Sequence, residues 1–144
     1  MMQGMIPPGI PYKRISISPV LKQNGSTVAA TVTVGYAIVI GKIAFVFFRL
    51  TPTANGTANT QIQVDLTGLG INASANGAFA GTFLYLDSGS AGYSGVVTFE
   101  AASAVLLRFD VHNSGSPLGI APNFAINGSP GGDYLAAGLM YEIA

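Results

Sequence analysis

"GYAIVIGKIAFVFFRLT", Gly35 to Thr51, is apolar over most of its length and is interrupted in the middle by Gly41 and Lys42. A membrane-spanning helix needs roughly 20 consecutive apolar residues. This run is shorter, and it carries a charge at its centre that hydrocarbon penalises. Its side chains also disfavour a helix: Val39, Ile40, Ile43 and Val46 are β-branched, and Tyr36, Phe45, Phe47 and Phe48 are aromatic, the types that suit a pleated strand. The segment therefore reads as two strands meeting at Gly41-Lys42, or as one long strand bent there, since glycine admits a tight turn or a bulge. Alternation places Ile43, Phe45 and Phe47 on one side and Ala44, Val46, Phe48 and Leu50 on the other. Both sides are apolar, so one fills the domain core and the other meets more of this chain or another copy of it. Ile43, Phe45, Val46, Phe47 and Phe48 are accordingly the candidate core or subunit-interface strand, with the parity left open.

The rest of the chain extends the same pattern. Short β-branched and aromatic runs alternate with Gly, Asn, Ser and Pro, and helical periodicity is nearly absent. Further strands are expected at Arg14 to Ser18, Thr27 to Ile40 with an interruption near Gly35, Thr60 to Leu66, Ala78 to Leu86, Tyr93 to Ala101, Ala104 to Val111 and Tyr134 to Ile143. With Lys42 to Leu50 this gives roughly eight strands, the count of a jelly-roll-like antiparallel β-sandwich. Asn24-Gly25, Asn55-Gly56, Asn76-Gly77 and Asn127-Gly128 are dipeptides that tolerate positive φ, and they mark expected loop tips. Residues 1–13, with Ile6, Pro7, Pro8 and Ile10, read as a Pro/Gly-rich extended arm, and residues 14–144 as the β-sandwich domain. The prolines stand where a signal peptide would carry its apolar helix, so no secretory address is expected.

Composition narrows the function classes. Only 8% of the 144 residues are charged, against about 25% in an ordinary soluble domain. Six Lys and Arg balance six Asp and Glu, leaving no basic field to attract nucleic acid. A surface this poor in charge favours association. Cysteine is absent, which rules out disulfides and thiolate metal sites.

Chemistry-bearing motifs are sparse. Asn24, Asn55, Asn72 and Asn127 each begin an N-x-[ST] triplet, but three are Asn-Gly turns and the turn reading is preferred to glycosylation. Asp110 and His112, two apart on a strand, could offer two metal ligands. No third ligand joins them, so a surface hydrogen bond is the preferred reading. No serine lies in a G-x-S-x-G elbow, and the acids are scattered. Gly68 to Ala73 holds only two glycines of a phosphate-binding fingerprint, with no helix after it. No catalytic residue, metal or cofactor is expected, and the chain does not read as an enzyme.

The aromatic strand, its Gly-Lys turn, the Asn/Gly/Thr-rich "PTANGTANT" and the alternating "QIQVDLTGLG" resemble the C-terminal β-domains of tailed-phage virion proteins. The ending "GGDYLAAGLMYEIA" resembles the last strand of trimeric jelly rolls of the C1q and tumour-necrosis-factor type. What these resemblances imply is a homotrimeric structural protein of the virion, decorating or stabilising the capsid or forming a minor tail component. Its partners would be its own copies and phage capsid or tail proteins, without nucleic acid and without a membrane span. The alternative is a fibre-tip module that recognises a host-surface glycan through loop aromatics, for which Tyr93 and Phe124 are the candidates.

Overall fold

The computed structural model describes residues 5–6, 10–88, 91–130 and 132–144. Its strands in chain order are β1 (Met5–Ile6), β2 (Ile10–Pro11), β3 (Lys13–Ser16), β4 (Val20–Gln23), β5 (Ser26–Thr27), β6 (Ala30–Ile40), β7 (Ile43–Pro52), β8 (Ile62–Asp65), β9 (Phe79–Asp87), β10 (Ala91–Phe99), β11 (Leu106–Val111) and β12 (Tyr134–Glu142). The protein is all-β and sandwich-like: β3 to β12 form one curled antiparallel sheet in the order β3-β6-β7-β12-β9-β10-β11-β8-β4-β5. Among the described residues no helix is long and apolar enough to cross a membrane.

The opening stretch forms a hairpin. Ile40 pairs with Ile43 across Gly41 and Lys42, and Gly41 takes φ 57, the sign that a two-residue turn of primed type requires at its first central position. The β6–β7 register shifts once, between Val32 and Val34. Gly35, near which the sequence suggests an interruption, lies within the continuous β6 and pairs with Phe48. Asn24 and Gly25 both have positive φ and close the β4–β5 hairpin.

Curling brings the inward rows of the two sheet halves together. Val46, Phe48 and Leu50 of β7 and Leu135, Leu139 and Tyr141 of β12 share one buried cluster with Val97 and Phe99 of β10 and Leu107 and Phe109 of β11. Phe99 meets Tyr141 edge-on with centroids 5.0 Å apart, and Phe83 of β9 meets Phe109 edge-on at 5.3 Å. Such pairs add roughly 0.5–1.5 kcal/mol each beyond area burial. The sheet's ends are joined by connecting segments rather than by a ladder: Ile17 N donates to Gly35 O, Val28 N to Leu21 O and Thr53 N to Ala29 O.

At the N-terminus Met5 pairs with Pro11 and Ile6 with Ile10, so part of the expected arm is a two-stranded ribbon of β1 and β2. Pro7 and Pro8 lie outside the described residues. β4 lies outside the strands that the sequence suggests, because its "VLKQ" offers only Val20 and Leu21 as apolar signal.

Candidate functional site

The parity of β7 is resolved. Ala44, Val46, Phe48 and Leu50 point into the core, whereas Ile43 and Phe47 are more than a third exposed and Phe45 is half-buried on the same outer face. The five candidates thus divide, Val46 and Phe48 to the core and Ile43, Phe45 and Phe47 to the outside.

Cross-strand pairing continues that outer face over four strands. Ile40, Ile43 and Glu142 form one row, and Ile38, Phe45 and Met140 the next. Tyr36, Phe47, Gly138 and Thr82 form a third row, and Val34, Arg49, Ala136 and Leu84 a fourth. Leu86 extends the face beside Tyr134. Phe79 lies beside a register shift in the β9–β10 ladder and is, among the described residues, the most exposed large apolar one at 64%, ahead of Met140 at 58%. β7 alone does not reveal these partners, although Phe83 to Leu86, apolar at both parities, carries the same signal.

Two arginines of this half are placed over rings. The Arg14 guanidinium lies 4.1 Å from the Tyr36 centroid and that of Arg49 4.1 Å from Tyr134. Tyr36 and Phe47 pack tilted, with centroids 5.2 Å apart. Each arginine covers an aromatic surface, Arg14 from the edge strand β3 and Arg49 from within the fourth row.

The other half of the same face is mostly polar, although Val96, Leu106 and the exposed Val20 stand in the rows of Asp110 and Asp65. Across β10, β11, β8 and β4 it presents Thr98, Arg108, Asp110, Gln63, Asp65 and Lys22. Arg108 Nε donates to both oxygens of Asp110, at 2.9 and 3.0 Å, and Lys22 Nζ lies 3.2 Å from Asp65. Gln61 and Gln63 both donate to Glu100. These side chains pair with one another, as expected of a half that faces water.

Burial alone would raise the Asp65 carboxyl, but hydrogen bonds from the Thr67 hydroxyl and amide, and then from Lys22, outweigh it and hold the group below its usual range. A depressed folded-state pKa adds stability that is present above the unfolded value and is lost as the pH falls through the folded one. Asp65→Asn is therefore expected to lower stability slightly at pH 7, by less than about 1 kcal/mol, and to flatten the acid decline of Tm below about pH 5. Thermal melts across pH 2.5–7 check this; an unaltered acid slope would remove the carboxylate from the account.

The remaining candidates stand apart from the apolar half. Asp110 is engaged by Arg108, and His112 is exposed in the turn after β11, its amide donating to Ser94 O. Among the described residues no three His, Cys, Asp or Glu side chains form a group able to hold a metal. Tyr93 lies within β10 rather than in a loop, and its ring stacks on Phe124 at 5.5 Å and 12°. Phe124 also packs against the buried Tyr85, with centroids 5.0 Å apart. Both rings are partly buried against the core instead of forming an open stacking platform.

Two buried polar residues escaped the sequence reading. Gln23 donates to Thr60 O and Phe124 O and accepts from Thr57 N and Ile126 N. Asp133 accepts from the Tyr85 hydroxyl at 2.6 Å, from Ser88 N at 2.8 Å and from Asn127 N at 2.8 Å. Burial, and next the bond to Asp133, pushes the Tyr85 hydroxyl far above its usual range, so it remains a donor. Both residues tie loops to strands and leave the outer face as the candidate for function. No protein-family model matches the chain, and neither a curated protein nor a solved structure matches it.

Proposed function

We propose that this chain is a structural, self-assembling protein of a tailed-phage virion, a homotrimer that decorates or stabilises the capsid or forms a minor tail component. One observation carries the assembly: the outer face of β6, β7, β12 and β9 exposes a cluster of large apolar side chains around only Arg49 and Glu142, while the outer face of the neighbouring strands is mostly polar, with its charges paired. The seven large apolar residues exposed on it, Val34, Ile43, Phe47, Phe79, Leu84, Leu86 and Met140, present about 600 Å², taking about 200 Å² for each fully exposed large side chain. That equals the upper end of the largest patch on a typical monomer and approaches the roughly 800 Å² per partner of a standard interface. The occupant that fits is another copy: a charge-poor face on a chain of zero net charge matches the apolar, charge-depleted centre of homo-oligomer interfaces.

The virion assignment rests on the resemblance of Gly35 to Gly70 and of the last strand to phage and trimeric jelly-roll segments. In this reading the N-terminal arm lies along the particle and the sheet domain projects from it. The measurement that tests assembly is solution mass by light scattering over a dilution series. A constant mass near three chains is expected, and a constant monomer overturns the proposal. Co-sedimentation of the assembled protein with purified phage heads and tails tests the location, and binding to neither removes the virion role.

A further inference from the structure

The apolar half of the outer face is uneven. In the row Tyr36, Phe47, Gly138, Thr82 the two large rings stand on β6 and β7, and the two small residues follow on β12 and β9. The rings form a ridge. Beside it runs a trough floored by Gly138 and Thr82 and bounded by Phe47, Leu84 and Ala136 on one side and by Phe79 and Met140 on the other. A Cβ placed on Gly138 would meet nothing nearer than the Phe47 ring at 3.6 Å, an ordinary contact, so the absence of a side chain is not imposed by packing within the chain. Gly81, one residue from Thr82, differs: a Cβ there would strike the Gly138 carbonyl.

Resting on the assembly reading above, we infer that the trough over Gly138 and Thr82 is the seat for the Tyr36–Phe47 ridge of the neighbouring copy. Large residues on one half of the row and small ones on the other make the face complementary to a laterally offset copy of itself. A ridge-to-trough contact joins two different patches, so it is heterologous, and a heterologous contact closes into a ring when the rotation allows. Three copies around an axis along the strands would each offer the ridge to one neighbour and the trough to the other. The charges agree with this. Arg14 and Arg49 lie over their own tyrosines at the ridge's border, and no charged side chain stands in the trough.

The chain has no cysteine, so engineered thiols report contacts without background. Tyr36 and Thr82 share a row but are separated by β7 and β12. Three strand spacings of about 4.8 Å put them roughly 14 Å apart within one chain, beyond the roughly 7 Å Cα separation that a disulfide spans. Under mild oxidation the double variant Tyr36→Cys/Thr82→Cys is expected to give covalent dimers and trimers and nothing larger, while each single variant stays monomeric on a denaturing gel. Gly138→Leu is expected to remain folded, judged by circular dichroism and melting, yet to sediment as one chain where the unmodified protein sediments as three. Cross-linking of either single variant would indicate a two-fold contact and overturn the ridge-to-trough seat. So would a Gly138→Leu variant that assembles normally, or an uncross-linked double variant of normal mass. The last two outcomes leave the assembly reading standing, whereas a monomeric unmodified protein removes both.

Discussion

Phe48→Glu is expected to yield no folded protein, while Phe47→Glu, one residue away, is expected to yield a folded chain that no longer assembles. Phe48 is 2% exposed and packs in the cluster shared by both sheet halves. Truncating a buried Phe costs about 3–5 kcal/mol, and an unpaired carboxylate in its place adds a desolvation penalty of several kcal/mol more. That total rivals the whole stability of an ordinary domain, about 5–15 kcal/mol. Phe47 is 37% exposed and faces outward, so a glutamate there keeps access to water in the isolated chain. In the assembly it would sit on the ridge, desolvated against the next subunit. Far-UV circular dichroism and light scattering on the pair separate the effects: loss of sheet signal for Phe48→Glu, and retained signal with single-chain mass for Phe47→Glu. A Phe47→Glu variant that keeps its mass would show the outer face to be solvated, and two equally unfolded variants would place both residues in the core.

The contrast marks where the sequence stopped being informative. Alternation in Ile43 to Leu50 established a strand and two apolar faces, yet Phe45 and Phe47 are as apolar as Val46 and Phe48, so no local property chose the core side. The choice is made by pairing. Ala37 and Ala44 stand on the inward face, both fully buried, and next to Ala37 a Cβ at Gly35 would strike the Ile17 carbonyl where the β3–β4 connection crosses. That crowding is long-range and invisible in either segment alone. The Asn-Gly dipeptides show the same limit. Gly25 and Gly77 adopt positive φ as turn glycines, but a Cβ on Gly56 would collide with the buried Gln23 side chain and one on Gly128 with the Ala54 backbone. There glycine serves close approach, a role that the dipeptide does not distinguish from a turn. The trough depends on Gly138 and Thr82 lying level with Tyr36 and Phe47, and these belong to strands far apart in the chain.

Asp133→Ala is expected to destabilise the fold by at least about 3 kcal/mol, the low end for three donors that lose one acceptor together. Its sequence context, Gly-Gly-Asp-Tyr, reads as a turn before the last strand, yet the side chain is fully buried and accepts three hydrogen bonds. The donors come from three places: the Tyr85 hydroxyl inside β9, the Ser88 amide just after β9 and the Asn127 amide in the loop that precedes β12. Asn127 O also accepts from the Asp133 amide, which closes that loop on itself. Alanine deprives all three donors of this acceptor, and the loss of such an acceptor costs about 1–3 kcal/mol where the donor is buried. Tyr85→Phe deletes one donor and leaves the carboxylate its two amides, so a smaller loss is expected, about 1–2 kcal/mol. Asp133→Asn falls between them, because its NH₂ turns one acceptor into a donor facing donors. Urea midpoints for the three variants give the order directly. If Asp133→Ala were no less stable than Tyr85→Phe, the carboxylate would not be the point that fixes the two loops to β9. Because Asp133 lies inside the domain and not on the outer face, any fall in mass should track unfolding across the series, whereas Gly138→Leu and Phe47→Glu should lose mass while folded.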